Sequence, residues 1–229
     1  MNKRVLFLDA GETLFTGRQT RDQVYANCFR EGGVAVEDDV MALWRAEEHG
    51  QMPEVFEGHL RYSEGWFFEF VRRLLRRAKS EADVEALRSR LASHFSRPEA
   101  FIVHEDTFPA LDALTEMGMR LAVVSNWSDR LTPVLDGLRL TPYFEQVFIS
   151  AVVGYSKPDT RLFLHAAQAM GVAPSETIHV GDHEANDWLA ATATGIEAYL
   201  LVRGHPIPHE PHILTSLNDL MPHLHHPAG

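Results

Sequence analysis

Six polar residues of this sequence have side chains and positions that suit a common reactive site. They lie at the ends of apolar runs or just before a helix, and they are Asp9, Ser125, Asn126, Lys157, Asp182 and Asp187. A carboxylate can attack a phosphoryl group and form a covalent intermediate. Two or three carboxylates with a backbone carbonyl suit a hard cation such as Mg²⁺, and a lysine with a hydroxyl can hold the oxygens of a phosphoryl group in transfer.

Asp9 ends the first apolar run of the chain. The run from Val5 to Leu8 has no polar residue, and a run without alternation is typical of a strand buried on both faces of a parallel sheet. Such a strand ends at the carboxyl edge of the sheet, where open α/β folds place their chemistry. We therefore interpret Asp9 as a nucleophile, although this stretch alone is equally compatible with a carboxylate that caps a turn.

The second half of the chain alternates strands with helices. Apolar runs predict strands at 120–125, 147–150, 177–181 and 197–202, with helical periodicity between them. This alternation predicts an α/β fold with a doubly wound, Rossmann-like parallel sheet and right-handed crossovers. The carboxyl ends of such strands meet at one edge, which would bring Asp9, Ser125 and Asp182 together.

A helical segment lies between the first strand and this alternation. Apolar residues recur at helical spacing in four places between about Phe15 and Pro98, and we find no pattern there that predicts a strand. The segment therefore predicts a helical insertion in the sheet domain.

The composition of the 229-residue chain restricts its partners. A formal net charge of -11 disfavours nucleic acid and anionic membranes, because both are polyanions. No uninterrupted apolar run reaches the roughly 18 residues of a membrane span, and no apolar N-terminal region precedes a cleavage site. The single cysteine, Cys28, excludes an intramolecular disulfide. We expect a cytoplasmic monomer or homodimer without a nucleic-acid or membrane partner.

Four motifs in order resemble those of the haloacid dehalogenase-like (HAD) hydrolase superfamily. The motifs are FLDAGETLF, VVSNWSDRL, GYSKPDTRLF and HVGDHEANDWLAA. The SNxxxRL pattern and the atypical first motif are most similar to the subgroup of HAD-domain-containing protein 3 and rhythmically expressed gene 2 homologues. The resemblance implies a Rossmann-like catalytic core over residues 1–14 and 101–229, and an inserted helical cap domain of the C1 type over residues 15–100.

The resemblance also implies a metal site and a nucleophile. Asp9 matches the nucleophile and a Mg²⁺ ligand, the backbone carbonyl of Gly11 matches a second ligand, and Asp182 matches a third. Asp187 completes the acidic metal site as the carboxylate that orients metal-bound water or Lys157. Lys157 matches the cation that neutralises the nucleophile and the substrate phosphate.

Three further positions match residues that bind substrate or support the site. Ser125 matches the residue that hydrogen-bonds a phosphoryl oxygen, with Asn126 beside it. Thr13 matches a residue that supports the loop after the nucleophile. Thr13 and Asn126 also have a structural interpretation, as polar residues that satisfy turns.

One position departs from the family pattern. Most phosphatases of the superfamily have a second aspartate two residues after the nucleophile, which protonates the leaving group and later activates water. This chain has Gly11 there, followed by Glu12. General acid–base catalysis typically contributes about 10²–10⁴-fold, so its loss would weaken a phosphatase without abolishing it. Three sources of the proton remain, and they are Glu12 (which has a longer side chain than aspartate), water and the substrate itself.

The resemblance therefore implies a Mg²⁺-dependent phosphatase for a small phosphorylated metabolite, with an aspartyl phosphate on Asp9. A 2-haloacid dehalogenase is the first alternative, because those members also lack the second aspartate. Their fourth motif, however, usually has serine and asparagine where this chain has Gly181 and Asp182. The second alternative is a catalytically silent scaffold that binds phosphate or a protein.

Overall fold

A computed structural model describes residues 5–204 and 210–224, so positions 1–4, 205–209 and 225–229 of the predicted core lie outside the described residues. The strands are β1 (Val5–Leu8), β2 (Phe15–Gly17), β3 (Val55–Phe56), β4 (His59–Leu60), β5 (Phe101–Val103), β6 (Arg120–Ser125), β7 (Gln146–Ile149), β8 (Thr177–Gly181), β9 (Glu197–Leu201) and β10 (Ile213–Leu214). The α-helices are α1 (Arg21–Glu31), α2 (Asp38–Gln51), α3 (Glu64–Arg77), α4 (Val84–Ser96), α5 (Thr107–Glu116), α6 (Leu131–Gly137), α7 (Ser150–Val153), α8 (Thr160–Ala169), α9 (Ala190–Thr192) and α10 (Met221–Leu224).

Six strands form one parallel sheet in the order β10-β9-β8-β1-β6-β7. β1 pairs in parallel with β6 on one side and with β8 on the other. All four residues of β1 are fully buried, which explains why its sequence is a continuous apolar run. The predicted α/β fold with a parallel sheet is confirmed, and the carboxyl ends of β1, β6 and β8 are neighbours at one edge.

Apolar clusters cover both faces of the sheet. Leu6 and Leu8 belong to the cluster on one face, whereas Val5 and Phe7 belong to the cluster on the other. A third cluster is built from residues between 24 and 91, which include buried side chains of α1, α2, α3 and α4. Phe95 packs against both this helical cluster and the first sheet cluster. The helical segment therefore has an apolar core of its own.

The expectation that residues 15–98 contain no strand is wrong. β2 pairs antiparallel with β5, with Phe15 opposite Val103 and Gly17 opposite Phe101. β3 and β4 form a second antiparallel pair. Strands of two or three residues are too short to show the alternation by which a strand is recognised in sequence. The β2–β5 ribbon brings the two ends of the helical segment together.

Two elements of the second half differ in detail from their predictions. Pro158 predicts the start of a helix at that position, but α8 begins at Thr160, because the Asp159 side chain caps it by accepting the backbone N–H of Arg161. The segment after β8 opens with a π-helical turn, Glu184–Leu189, before α9. Among the described residues, the structure contains no helix with the length and apolar character needed to span a membrane.

Candidate active site

The carboxyl edge of the sheet borders a cavity of about 430 Å³. Its lining includes the predicted residues Asp9, Gly11, Glu12, Ser125, Asn126, Lys157, Asp182 and Asp187. Thr13 is fully buried, and its hydroxyl donates to Oδ1 of Asp182 across 3.5 Å. The fold therefore brings the residues that the sequence singled out to one place, because β1, β6 and β8 end side by side.

Lys157 joins two carboxylates that are distant in sequence. Its Nζ donates to Oδ1 of Asp9 at 2.7 Å, to Oδ1 of Asp187 at 2.5 Å and to the backbone carbonyl of Val124 at 3.1 Å. These acceptors match the three donors of an ammonium group. Burial alone would lower the pKa of Lys157, but the charges and hydrogen bonds of Asp187 and Asp9 raise it above its usual value. Lys157 is therefore a cation throughout the neutral pH range.

Both carboxylate oxygens of Asp187 accept hydrogen bonds. Oδ1 contacts Nε2 of His179 at 2.9 Å in addition to Lys157, and Oδ2 accepts the backbone N–H of His183 at 3.0 Å. Burial would raise the pKa of Asp187, but Lys157 and His179 hold it below its usual range. His179 is not among the site residues predicted from the sequence. The feature that could have identified it is its position as a polar residue in the middle of β8, a strand in which every residue is buried.

Three carboxylates lie close enough to share a metal ion. One oxygen from each of Asp9, Asp182 and Asp187 lies within 4.8 Å of the others. Burial raises the pKa of Asp9 although Lys157 opposes the change, and burial followed by the charges of Asp9 and Asp187 raises the pKa of Asp182 to about 7. One ammonium group does not offset three carboxylates, of which those of Asp9 and Asp187 are buried. This set of oxygen donors fits a hard divalent cation such as Mg²⁺.

The end of β6 contributes a hydroxyl and an amide. Ser125 is 2% exposed and lines the cavity. The Nδ2 of Asn126 donates to the carbonyl of Lys157 at 2.7 Å, and its Oδ1 accepts the N–H of Lys157 at 2.7 Å. Both polar atoms of the Asn126 side chain therefore bind the Lys157 backbone, as the structural interpretation of this residue anticipates. In this arrangement Asn126 fixes the position of the lysine.

The loop after Asp9 is crowded at the position where the family pattern has its second aspartate. A Cβ on Gly11 would lie 3.0 Å from Cζ3 of Trp127 and 3.9 Å from Nη2 of Arg21. Glu12 has a φ of 60°, and its carboxylate oxygens accept the hydroxyl of Thr16 at 3.0 Å. We did not single out Trp127 and Arg21 from sequence, because only the folded chain brings them beside Gly11.

Gly181 lets Asp187 approach the backbone of β8. A Cβ at position 181 would lie 2.2 Å from Cγ of Asp187, so one of the two groups would have to move. We expect Gly181→Ala to displace Asp187 from Lys157 and to lower the free energy of unfolding by about 1–3 kcal/mol. It should also lower, about tenfold, the hydrolytic activity that the motif resemblance implies. Urea denaturation and kcat/KM measure the two effects.

Gly50→Ala is the matched control. Gly50 lies in α2, and a Cβ there would meet no atom within 4 Å. Alanine favours helix over glycine by about 1 kcal/mol, so this variant should be fully active and at least as stable as the parent chain. Equal stability and activity in the two variants would show that the site does not depend on the close approach of Asp187.

Known proteins resemble this chain in sequence and in fold. Residues 3–195 match a family model described as haloacid dehalogenase-like hydrolase. The chain is 32% identical to haloacid dehalogenase-like hydrolase domain-containing protein 3 of Mus musculus, over 98% of this chain and 94% of that protein. It is 31% identical to phosphoserine phosphatase of Thermus thermophilus, over 88% and 89% of the two chains. A magnesium-bound HAD-hydrolase of Bacillus subtilis is 19% identical, with a TM-score of 0.72 over 98% of this chain and 100% of that chain, and shows a shared fold.

Proposed function

Because this chain belongs to the haloacid dehalogenase-like hydrolases, we propose that it is a Mg²⁺-dependent phosphatase of small phosphorylated metabolites. Asp9 attacks phosphorus in line, the ester oxygen leaves, and water then hydrolyses the aspartyl phosphate and restores Asp9. The observation that carries the proposal is the contact of Lys157 with both Asp9 and Asp187 beside a third carboxylate, Asp182. A phosphoserine phosphatase among the relatives supports it.

We assign the metal ligands to Asp9, Asp182 and the backbone carbonyl of Gly11. The three acidic side chains around one ammonium group support this assignment, as does the magnesium bound by a protein of the same fold. When bound, Mg²⁺ supplies positive charge that polarises a phosphoryl oxygen. Asp187 lies at the same site and holds Lys157, since both of its oxygens accept hydrogen bonds from the protein.

The remaining side chains orient the nucleophile and the phosphoryl group. Lys157 binds one oxygen of Asp9, which opposes the rise in the pKa of Asp9 that burial causes and thereby favours the ionised, nucleophilic form. The positive charge of the same ammonium group, whose three donors already bind protein oxygens, and the Ser125 hydroxyl would stabilise phosphoryl oxygens. Asn126 fixes the backbone of Lys157 through two hydrogen bonds. Thr13 supports Asp182 through its hydroxyl.

We also assign residues 15–100 to a cap over a core of residues 1–14 and 101–229. The apolar cluster of the helical segment and the β2–β5 ribbon at its two ends support this division. Arg21, Tyr62 and His94 belong to the segment and line the cavity that contains Asp9. Substrate specificity would then depend on residues that the helical segment contributes.

Hydrolysis of a panel of small phosphate monoesters tests the proposal. We expect turnover with Mg²⁺ and a loss of at least about tenfold in EDTA, because metal ions stabilise several kcal/mol of developing charge. Activity should return when Mg²⁺ is added in excess. Turnover that EDTA leaves unchanged would contradict the metal assignment, and the absence of turnover with every ester would contradict the phosphatase.

Gly11 favours a dehalogenase as the second candidate, since a departing halide needs no proton. The carboxylate of Asp182 beside Asp9 and Asp187 argues for phosphoryl chemistry instead. Release of halide from 2-haloacids without added metal separates the two activities in one preparation. Tight binding of Mg²⁺ and phosphate with neither activity would indicate a silent scaffold.

A further inference from the structure

A second cavity of about 390 Å³ adjoins the cavity that contains Asp9. The two cavities share the lining residues Arg21, Tyr62, Phe95, Asn126 and Trp127. The two cavities therefore border each other between the helical segment and the carboxyl edge of the sheet. Sites for small molecules usually measure about 300–1,000 Å³, so the second cavity has room for the organic part of an ester whose phosphoryl group lies at Asp9.

Aromatic rings form much of the wall of this second cavity. Trp66 and Phe70 are stacked, with ring centres 5.3 Å apart and planes inclined by 13°. Tyr25 stands edge-on to Phe70 at 6.0 Å. The other aromatic side chains of the wall are Tyr62, Phe67, Phe95, Trp127 and the imidazole of His49. The planar aromatic ring of a ligand would fit this wall, because offset stacking and edge-to-face contacts between aromatic rings are favourable.

Arg21 supplies the unneutralised charge where the two cavities meet. Arg45 pairs with Asp22, and Arg130 pairs with Glu64, so the charges of two of the three arginines in the lining are balanced. Among residues 5–204 and 210–224, Arg21 alone of the three has no acidic partner within ion-pair distance. A cation at this junction favours negative charge on the atom that links the phosphoryl group to the organic part.

The neighbourhood of Gly11 restricts how the leaving group departs. A Cβ at position 11, from which an acidic side chain would extend, would lie beside the Trp127 ring and the Arg21 guanidinium. A guanidinium remains protonated in proteins and is not a proton donor at neutral pH. It stabilises an oxyanion by charge, which suits the departure of a phenolate better than that of the far more basic alkoxide of an aliphatic alcohol. The aromatic wall of the second cavity and the charge of Arg21 therefore favour the same class of leaving group, the oxygen of a phenol-like alcohol.

We propose that the substrate is a phosphate monoester of an acidic, phenol-like aromatic alcohol whose ring occupies the second cavity. This inference rests on the proposed phosphatase function. A carboxylate oxygen of Asp9 forms a bond to phosphorus as the bond from phosphorus to the aryl oxygen breaks. The bonding pair leaves with that oxygen, and the phenolate beside Arg21 later takes a proton from solvent. Water then attacks phosphorus and restores the Asp9 carboxylate, and its hydrogens pass to phosphate and solvent.

The dependence of kcat/KM on leaving-group acidity tests the departure step. The probes are aryl phosphates from nitrophenyl to methoxyphenyl, together with benzyl and alkyl phosphates, assayed with Mg²⁺. Without a proton donor, we expect kcat/KM to fall about tenfold for each unit rise in the leaving-group pKa. Equal kcat/KM for aryl and alkyl esters would overturn the inference and leave the phosphatase intact. If no ester is hydrolysed faster than by Asp9→Asn, the proposed function itself fails.

Tyr62 is a side chain to exclude as an alternative proton donor, in addition to Glu12. It lines both cavities, and burial raises the pKa of its hydroxyl, so it carries a proton at neutral pH. We expect Tyr62→Phe to keep the steep dependence on leaving-group pKa. A shallow dependence in the parent chain that becomes steep in Tyr62→Phe would identify Tyr62 as the donor and overturn the inference.

A variant that fills the second cavity tests where the ring binds. Ala46 is exposed on α2 and lines the cavity, so Ala46→Phe should occupy it without disturbing the core. We expect KM for naphthyl phosphate to rise at least about tenfold while inhibition by inorganic phosphate stays unchanged. Ala86→Phe, at an exposed position of α4 away from both cavities, should leave both values unchanged. An unaltered KM in Ala46→Phe would show that the ring does not occupy the cavity.

Discussion

Asp9→Asn is expected to lower kcat for phosphate monoester hydrolysis by about 10⁴-fold or more, with the chain still folded. The amide of asparagine has nearly the shape of the carboxylate but does not form an acyl phosphate. Lys157 keeps Asp187 as its partner in this variant. The loss of activity would therefore report on the nucleophile itself.

The stability of Asp9→Asn separates the nucleophile from a structural role. Burial raises the pKa of Asp9, so the ionised carboxylate reduces the free energy of unfolding at pH values above that raised pKa. Asparagine carries no charge and removes this cost. Urea denaturation at pH 7 in EDTA should give a free energy of unfolding equal to or greater than that of the parent chain. A marked loss of stability would mean that Asp9 has a structural role.

The covalent intermediate gives a second readout for the same variant. The family pattern uses the residue at position 11 to activate water, and Gly11 has no side chain for this step. We therefore expect the aspartyl phosphate to accumulate, to produce a burst of product and to appear after acid quenching as a phosphorylated Asp9 peptide in mass spectrometry. The modification should be absent from Asp9→Asn and present in Asp136→Asn, an exposed aspartate used as control. A phosphorylated peptide elsewhere would contradict the assignment.

The sheet and the residues at its edge could be predicted because each rests on a local pattern. A strand buried on both faces is mostly apolar, so β1 is recognised from its uninterrupted apolar run and β8 from Ile178 and Val180. The polar residue that follows each strand marks the carboxyl edge. The order of β1 between β6 and β8 then brings Asp9, Ser125 and Asp182 together. These inferences need only the periodicity of the chain and the geometry of parallel sheets.

The features missed in the sequence depend on contacts between distant segments. The β2–β5 ribbon pairs Phe15 with Val103, and neither short strand has a pattern of its own. Arg21 approaches Gly11 only after α1 folds over the sheet edge, and Trp127 reaches the same place from the end of β6. No spacing of residues in the sequence predicts these contacts of Arg21 and Trp127 with the surroundings of Gly11. The surroundings of Gly11 in the candidate site could therefore not be predicted from the sequence. The group of Asp9, Ser125 and Asp182 could be predicted.

Lys157→Met is expected to reduce kcat/KM about 10²–10³-fold and to lower the free energy of unfolding in EDTA by about 3–5 kcal/mol. The side chain is 2% exposed, and its ammonium group is within 2.7 Å of Asp9 and 2.5 Å of Asp187. Methionine fills a similar volume but leaves these carboxylates without their shared cation. The pKa of Asp9 would then rise further, which reduces the ionised, nucleophilic fraction of this carboxyl.

Two comparisons show whether charge, and not side-chain volume, causes these losses. Lys79→Met makes the same change at an exposed position of the helical segment and should alter neither activity nor stability. In the double variant Asp9→Asn/Lys157→Met, one of the unpaired carboxylates is already neutral. Its loss of stability should therefore be smaller than the sum of the single effects by about 0.5–3 kcal/mol. Strict additivity, or a stable and active Lys157→Met, would mean that Asp9 and Lys157 do not act as a pair.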